Sequence, residues 1–148
     1  MKSVSVIGDG KVPEGSELYR VAQEVGKLIA SKGYALICGG LFGVMEGACR
    51  GAKEAGGLTV GILPHYEPLA NPFVDIKIPT GLGHGRNVIV AASSEVVVAV
   101  GGSYGTLSEI AFALKLNKKV VGYKSWKVKG IENYEEMGDF IRAVSALI

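Results

Sequence analysis

Short apolar runs alternate with longer amphipathic segments along the whole chain. Residues 95–100 form a nearly continuous apolar, β-branched run, which is typical of a strand buried on both faces. Residues 15–32 carry apolar side chains at three- and four-residue spacing, which predicts a helix with one apolar face. The same reasoning predicts strands at 3–8, 34–38, 58–63, 74–79, 95–100 and 119–123, and helices at 15–32, 43–56, 84–93, 105–116 and 134–147.

This alternation predicts an α/β fold built on a Rossmann-like, doubly wound parallel sheet with helices on both faces. We expect one domain that covers residues 1–148, because a chain of this length can bury a single sizeable core. The simplest strand order is 3-2-1-4-5-6. In such a sheet a ligand binds beyond the carboxyl ends of the strands where the order reverses, here between the first and the fourth strand.

Composition narrows the classes of function. The net charge is +2 and the charged residues are interspersed, so we expect neither a nucleic-acid partner nor binding to a membrane. We also expect no secretion signal, because the chain begins directly in a strand. Cys38 and Cys49 form no CxxC pair, which favours a reducing, cytoplasmic location. No spacing of His, Cys and carboxylate residues predicts a metal site.

Glycine is unusually frequent, at 22 of 148 residues, and it clusters where predicted strands end. Glycines follow the strands at 3–8, 34–38, 74–79 and 95–100, and the expected order places these four side by side. The last cluster also opens a helix, where free N–H groups and the helix dipole favour an anion such as phosphate. The predicted ligand-binding residues are Gly8, Gly39, Gly40, Gly43, Gly101, Gly102, Ser103, Tyr104, Gly105 and Thr106.

Two common nucleotide-binding motifs are missing from the chain. Gly8 and Gly10 follow the first strand, but the next glycine is Gly15, which breaks the G-x-G-x-x-G spacing of dinucleotide-binding folds. The second strand ends in Cys38 and Gly39 without the acidic residue that would hold a ribose. A G-x-x-x-x-G-K-[ST] motif is also absent. The glycines therefore predict a phosphate site of another kind.

Two loops resemble the signatures of the Lonely-Guy (LOG) superfamily. Residues 39–46, G-G-L-F-G-V-M-E, look like its G-G-x-x-G-[VL]-M motif. Residues 102–109, G-S-Y-G-T-L-S-E, look like its P-G-G-x-G-T-x-E-E motif. Arg86 falls where the superfamily has an arginine, and the resemblance spans about residues 1–123.

The resemblance implies a Rossmann-like homodimer or homotetramer with two possible functions. LOG enzymes are phosphoribohydrolases, which need no cofactor and release a free base and ribose 5-phosphate from a nucleoside 5′-monophosphate. Similar small proteins carry the molybdenum cofactor, a phosphorylated pterin. Some relatives are labelled lysine decarboxylase-like, but no feature of this sequence indicates a pyridoxal phosphate site. The motifs slightly favour the enzyme, and a nucleotide sensor without catalysis is a third alternative.

The chain departs from the LOG pattern at four positions. Asn87 replaces a lysine, Gly101 replaces a proline, Ser103 replaces a glycine, and Ser108 replaces the first of two glutamates. These departures resemble the carrier side of the superfamily. Arg86, Thr106 and Glu109 nevertheless match the enzymes.

Glu109 and Arg86 are the catalytic candidates if the chain is a hydrolase. The phosphate would rest on the amides of residues 102–106, Glu109 would face the ribose, and Arg86 would orient the substrate or its base. Structural alternatives are a capping box between Thr106 and Glu109, and a salt bridge of Arg86 at the surface or at an interface. His84 and Trp126 lie near these segments without an assigned role.

Overall fold

The computed structural model describes residues 1–148 and contains one seven-stranded parallel sheet. The strands are β1 (Ser3–Gly8), β2 (Ala35–Cys38), β3 (Thr59–Leu63), β4 (Ile76–Pro79), β5 (Val96–Val100), β6 (Lys119–Tyr123) and β7 (Ile131–Tyr134). The helices are α1 (Glu17–Ser31), α2 (Val44–Glu54), α3 (Arg86–Ala92), α4 (Tyr104–Lys115) and α5 (Met137–Leu147). A single 3₁₀ turn, Gly83–Gly85, precedes α3.

The α/β fold class is confirmed, but the predicted strand order is wrong. The observed order is β4-β3-β2-β1-β5-β6-β7, and every neighbouring pair is parallel. The strand at 74–79 was expected beside β1, yet β4 pairs only with β3 at the edge of the sheet. All four β4 residues are exposed, whereas all five β5 residues are buried. The fully apolar strand therefore takes the central place beside β1, and the order reverses between β1 and β5.

One strand was not predicted from the sequence. Residues 131–134 form β7, the edge strand beside β6, and the last helix begins at Met137 rather than at residue 134. Glu136 explains this start, because its carboxylate accepts hydrogen bonds from the N–H groups of Gly138 (3.0 Å) and Asp139 (2.9 Å). Such a carboxylate satisfies amides that the first helical turn leaves free.

Helices cover both faces of the sheet. On one face α1, α2 and α5 pack on alternate strand residues, including Val98 and Val100 of β5. On the other face α3 and α4 pack on the intervening residues, including Val97 and Ala99. Full burial of one such valine contributes roughly 1.5 kcal/mol or more to stability. Continuous apolar sequence in β5 is thus required by burial on both faces.

α1 and α2 approach each other closely because glycines line their contact. A Cβ atom added at Gly26 would lie 1.9 Å from the carbonyl oxygen of Ala48, and one at Gly51 would lie 1.9 Å from that of Gln23. At the start of α2, Gly43 has φ 62° and lies against the backbone of Asp9. This packing fixes α2, and with it the loop of residues 39–43, against the end of β1.

Candidate functional site

A cleft of about 470 Å³ opens at the carboxyl ends of β1 and β5, where the strand order reverses. Its walls come from the end of β1, the loop of residues 39–43 with the start of α2, the 3₁₀ turn, and the start of α4. The lining residues are Val6, Ile7, Gly8, Asp9, Gly10, Lys11, Leu41, Phe42, Met45, His84, Arg86, Ser103, Gly105, Thr106 and Glu109.

The cleft gathers many, but not all, of the predicted residues. Six of them line it: Gly8, Arg86, Ser103, Gly105, Thr106 and Glu109. The predicted residues outside the lining are Gly39, Gly40, Gly43, Gly101, Gly102 and Tyr104. Most of these glycines have a structural role, because their positions leave no room for a Cβ atom: at Gly40, for example, it would lie 2.3 Å from Leu63.

The glycine cluster after residues 74–79 does not meet the others as expected. β4 lies at the edge of the sheet, so its end is separated from the ends of β1 and β5. Gly81 instead lies against the ring of Tyr66, and its N–H donates to the carbonyl of His65 (3.1 Å). Only His84, from the following 3₁₀ turn, reaches the cleft.

The start of α4 has the geometry of an anion site. Gly101 (φ 59°) and Gly102 (φ 139°) turn the chain from β5 into Ser103, the N-cap residue. The Ser103 N–H donates to Thr106 Oγ1 (3.3 Å), while the first amides of the helix have no partner within it. The structural alternative of a capping box between Thr106 and Glu109 is not what the structure shows, because α4 begins at Tyr104 and the capping box joins Ser103 and Thr106. Glu109 therefore lies in the second turn, where its carboxyl group faces the cleft.

Arg86 and Glu109 form the buried floor of the cleft, and each is only 7% exposed. Arg86 donates from Nη1 to Asn87 Oδ1 and from Nη2 to the carbonyl of Gly39 (3.4 Å), while its Nε has no partner. Burial lowers the pKa of Arg86, which the charge of Glu109 opposes. Burial also raises the pKa of Glu109 to about 8, although the charge of Arg86 acts in the opposite direction. At neutral pH the floor therefore combines a guanidinium with a mostly protonated carboxyl group.

The alternative of a surface salt bridge for Arg86 is not what the structure shows, because the residue is buried and makes no ion pair within 4 Å. Its position depends instead on two residues that depart from the LOG pattern. Asn87 Nδ2 donates to Ser108 Oγ (3.0 Å), and Ser108 Oγ donates to the carbonyl of Gly105 (2.6 Å). Ser108 and Asn87 thus link the backbone of α4 to the guanidinium of Arg86. The paired departure in the sequence was the signal for this contact.

Sequence reasoning missed much of the cleft wall. Leu41, Phe42 and Met45 add apolar surface, and the Phe42 side chain is 53% exposed. Asp9 and Lys11 add charge at the rim, with the Lys11 N–H donating to Asp9 Oδ1 (2.8 Å). Asp9 and Lys11 belong to no motif, so only their place in the fold assigns them to the site.

Tyr104 points out of the cleft and stacks on Trp126. The ring centroids are 5.7 Å apart, and Tyr104 is 81% exposed. Trp126 Nε1 donates to the carbonyl of Ser103 (3.0 Å). The aromatic pair therefore supports the outer side of the loop of residues 101–106.

The sequence profile of the SLOG cluster4 family matches residues 1–146. The chain belongs to this family. Together with the relatives described next, that membership confirms the resemblance to the superfamily of LOG enzymes and molybdenum cofactor carriers.

This SLOG cluster4 protein is similar in sequence to an uncharacterized archaeal protein and to a mycobacterial enzyme. An uncharacterized protein of Archaeoglobus fulgidus is 53% identical over 124 residues, which cover 84% of this chain and 81% of the relative. A cytokinin riboside 5′-monophosphate phosphoribohydrolase of Mycobacterium tuberculosis is 34% identical over 102 residues, which cover 66% of this chain and 54% of the enzyme.

Solved structures of molybdenum cofactor proteins match the SLOG cluster4 chain along its length. The molybdenum cofactor binding protein of Rippkaea orientalis is 36% identical, with a TM-score of 0.86 and coverage of 99% of this chain and 98% of the other. The molybdenum cofactor carrier protein of Chlamydomonas reinhardtii is 39% identical, with the same TM-score and the same coverage.

The structure contains neither a membrane-spanning helix nor a cluster of metal-binding side chains. None of the five helices is long and apolar enough to cross a membrane. No group of three or more His, Cys, Asp or Glu side chains could hold a metal ion.

Proposed function

We propose that this protein binds the molybdenum cofactor, or a closely similar phosphorylated pterin, in the cleft and carries it without chemical change. The observation that carries the proposal is the floor of the cleft, where a buried guanidinium meets a carboxyl group with a pKa of about 8. The full-length match to two molybdenum cofactor proteins supports the same function.

In this proposal the phosphate of the cargo lies at the start of α4. The amides of Gly102, Tyr104 and Gly105 and the hydroxyl groups of Ser103 and Thr106 donate to it, and the helix dipole adds to the attraction. Arg86, which lines the cleft, supplies the positive charge. Protonated Glu109 adds no negative charge that would repel the phosphate.

The same charge state argues against hydrolysis. Cleavage of an N-glycosidic bond develops positive charge on the ribose, which an ionised carboxylate stabilises and a protonated one does not. Glu109 is mostly protonated at neutral pH. Ser108 stands where the resemblance implies a second glutamate, and its hydroxyl is already bonded to Asn87 and Gly105. Although the motifs slightly favoured the enzyme, the charge of the cleft favours the carrier.

A phosphoribohydrolase is the second candidate. It is favoured by Arg86, Thr106 and Glu109, which match the LOG pattern, and by the similarity to the mycobacterial enzyme. In that case Glu109 would work as a carboxylate, so the rate should rise as the pH approaches about 8, its pKa.

The deciding experiment measures cargo retention and base release on the same purified protein. The protein is incubated without oxygen with molybdenum cofactor released from a molybdoenzyme, and the pterin that remains bound after gel filtration is measured. A parallel sample is incubated with AMP, and free adenine is measured by chromatography. We expect retention of the cofactor and no release of adenine.

Two variants make the result specific. Arg86→Ala should lose most of the bound pterin, while Arg142→Ala removes an arginine whose side chain is 74% exposed and should retain it. Equal retention by both variants would refute the proposed binding mode. Release of adenine by the natural protein that disappears in Glu109→Gln would establish the hydrolase instead.

We also propose that the protein is a cytoplasmic homodimer or homotetramer, with no nucleic-acid or membrane partner. α3 and α4 lie side by side on one face of the sheet and expose Val88, Ile89, Phe112 and Leu116. Neighbouring apolar side chains of this kind favour contact with a second copy. Sedimentation of Phe112→Asp, compared with the natural protein, should show a smaller particle.

A further inference from the structure

Two buried thiols lie in contact beneath the cleft. Cys38 is the last residue of β2 and Cys49 lies in the middle of α2. Their Sγ atoms are 3.5 Å apart, both residues are 0% exposed, and no disulfide joins them. The chain between them contains the loop of residues 39–43 and the first turn of α2, which form one wall of the cleft.

The two thiols have different surroundings. The Gly40 N–H donates to Cys38 Sγ (3.3 Å), and Arg86 and Glu109 are the charged groups that face this sulfur. The hydrogen bond from Cys49 lowers the pKa of Cys38, and the same contact raises the pKa of Cys49. Arg86, which lines the cleft, faces the Cys38 sulfur, so oxidation from the cleft side begins at Cys38.

The segment between the two cysteines has little freedom to move. A disulfide holds its sulfur atoms about 2.05 Å apart, so the two Sγ atoms would approach each other by about 1.5 Å from their 3.5 Å contact. α2 cannot follow freely, because Gly51 lies against the backbone of α1 and Gly43 lies against Asp9. The loop of residues 39–43, which is anchored at Gly40 by the Cys38 sulfur, must absorb much of the change.

We propose that Cys38 and Cys49 are a modification site that forms a reversible disulfide, and that this bond shifts the loop of residues 39–43 and weakens ligand binding in the cleft. The effect on binding rests on the proposed function, whereas the bond itself does not. In a reducing compartment such a bond forms transiently and serves as a redox signal.

The reaction balances with a peroxide as the oxidant. The Cys38 thiol releases its proton, and the thiolate attacks one peroxide oxygen. The O–O bond breaks, Cys38 becomes a sulfenic acid, and the hydroxide that leaves takes up the released proton to form water. The Cys49 sulfur then attacks the Cys38 sulfur, its proton and the hydroxyl group leave as a second water, and the S–S bond forms. Two thiols are oxidised by two electrons, and one peroxide is reduced to two waters.

The first measurement is the covalent state of the two cysteines. The full-length protein is treated with hydrogen peroxide, alkylated, digested and analysed by mass spectrometry, with and without dithiothreitol. We expect one Cys38–Cys49 bond that dithiothreitol reverses. Free thiols after treatment, or sulfinic acid in place of the bond, would overturn the proposal.

The second measurement is the affinity for the molybdenum cofactor, or for AMP if the reduced protein binds AMP instead, measured by calorimetry before and after oxidation. We expect a fall of about fivefold to tenfold, roughly the loss of one hydrogen bond to the ligand, with recovery in dithiothreitol. Cys49→Ala is the matched control, since it meets the same peroxide, including any oxidation of Met45, but cannot form the bond. Cys38→Ala serves if that variant does not fold. Equal affinity of the oxidised and reduced natural protein would overturn the regulatory part.

A separate readout keeps the two proposals distinct. If the reduced protein binds neither AMP nor molybdopterin, the proposed function fails, and the exchange rate of the Gly40 amide decides the present inference. That amide now donates to Cys38 Sγ, so it should exchange faster once the sulfur moves. An unchanged rate in the disulfide form would contradict the shift of the loop.

Discussion

Replacement of Glu109 by glutamine should remove a large pH dependence of stability. Burial raises the pKa of Glu109 from the ordinary value of 4.5 to about 8. Between these two pH values the folded protein holds a proton on this residue that the unfolded chain has released. The stability that this protonated group contributes is fully present below about pH 4.5 and is lost as the pH rises through the folded pKa.

The size of the effect follows from the change in pKa. A pKa change of one is worth about 1.4 kcal/mol. A rise from 4.5 to about 8 therefore lowers the free energy of unfolding by up to about 5 kcal/mol between acidic and alkaline pH. The Glu109→Gln variant cannot ionise at this position, so its stability should fall much less over the same range.

Urea unfolding at several pH values from about 5 to about 9, followed by the fluorescence of Trp126, measures this difference. Glu95→Gln is the matched control, because the Glu95 side chain is 89% exposed and its loss should leave the pH dependence unchanged. Parallel curves for the natural protein and Glu109→Gln would refute the burial argument. They would also remove the main physical support for a neutral carboxyl group in the cleft.

Three further substitutions test packing. Gly26→Ala should lower the free energy of unfolding by about 1–3 kcal/mol, because its Cβ would lie 1.9 Å from the Ala48 carbonyl oxygen. The Cβ atom of Gly105→Ala would have no neighbour closer than 3.9 Å, so this variant should raise the free energy of unfolding by about 0.5–1 kcal/mol. Urea titrations in which both variants change the free energy of unfolding in the same direction would contradict this. Tyr104→Ala should remove about 1 kcal/mol of stacking and shift the emission of Trp126, and an unshifted spectrum would mean that the rings do not stack in solution.

The local sequence pattern predicted most of the elements, because apolar residues are spaced differently in strands and in helices. The alternation was enough for the α/β class and for the glycine turn that opens α4. β7 escaped detection because Ile131–Tyr134 is short and carries Glu132 and Asn133, so it lacks the apolar run of a buried strand. The place of β4 at the edge depends on pairing between distant segments, which no local pattern records.

The sequence by itself determined the types of side chain that meet in the cleft. Its motifs place Arg86, Thr106 and Glu109 near the ends of strands and the starts of helices. Only the tertiary structure decided their chemical state. Removal of water raises the pKa of Glu109, and the contact of Asn87 with Ser108 positions Arg86. Both effects arise between segments far apart in the chain, because solvent access and charge proximity exist only after the sheet and its helices have packed.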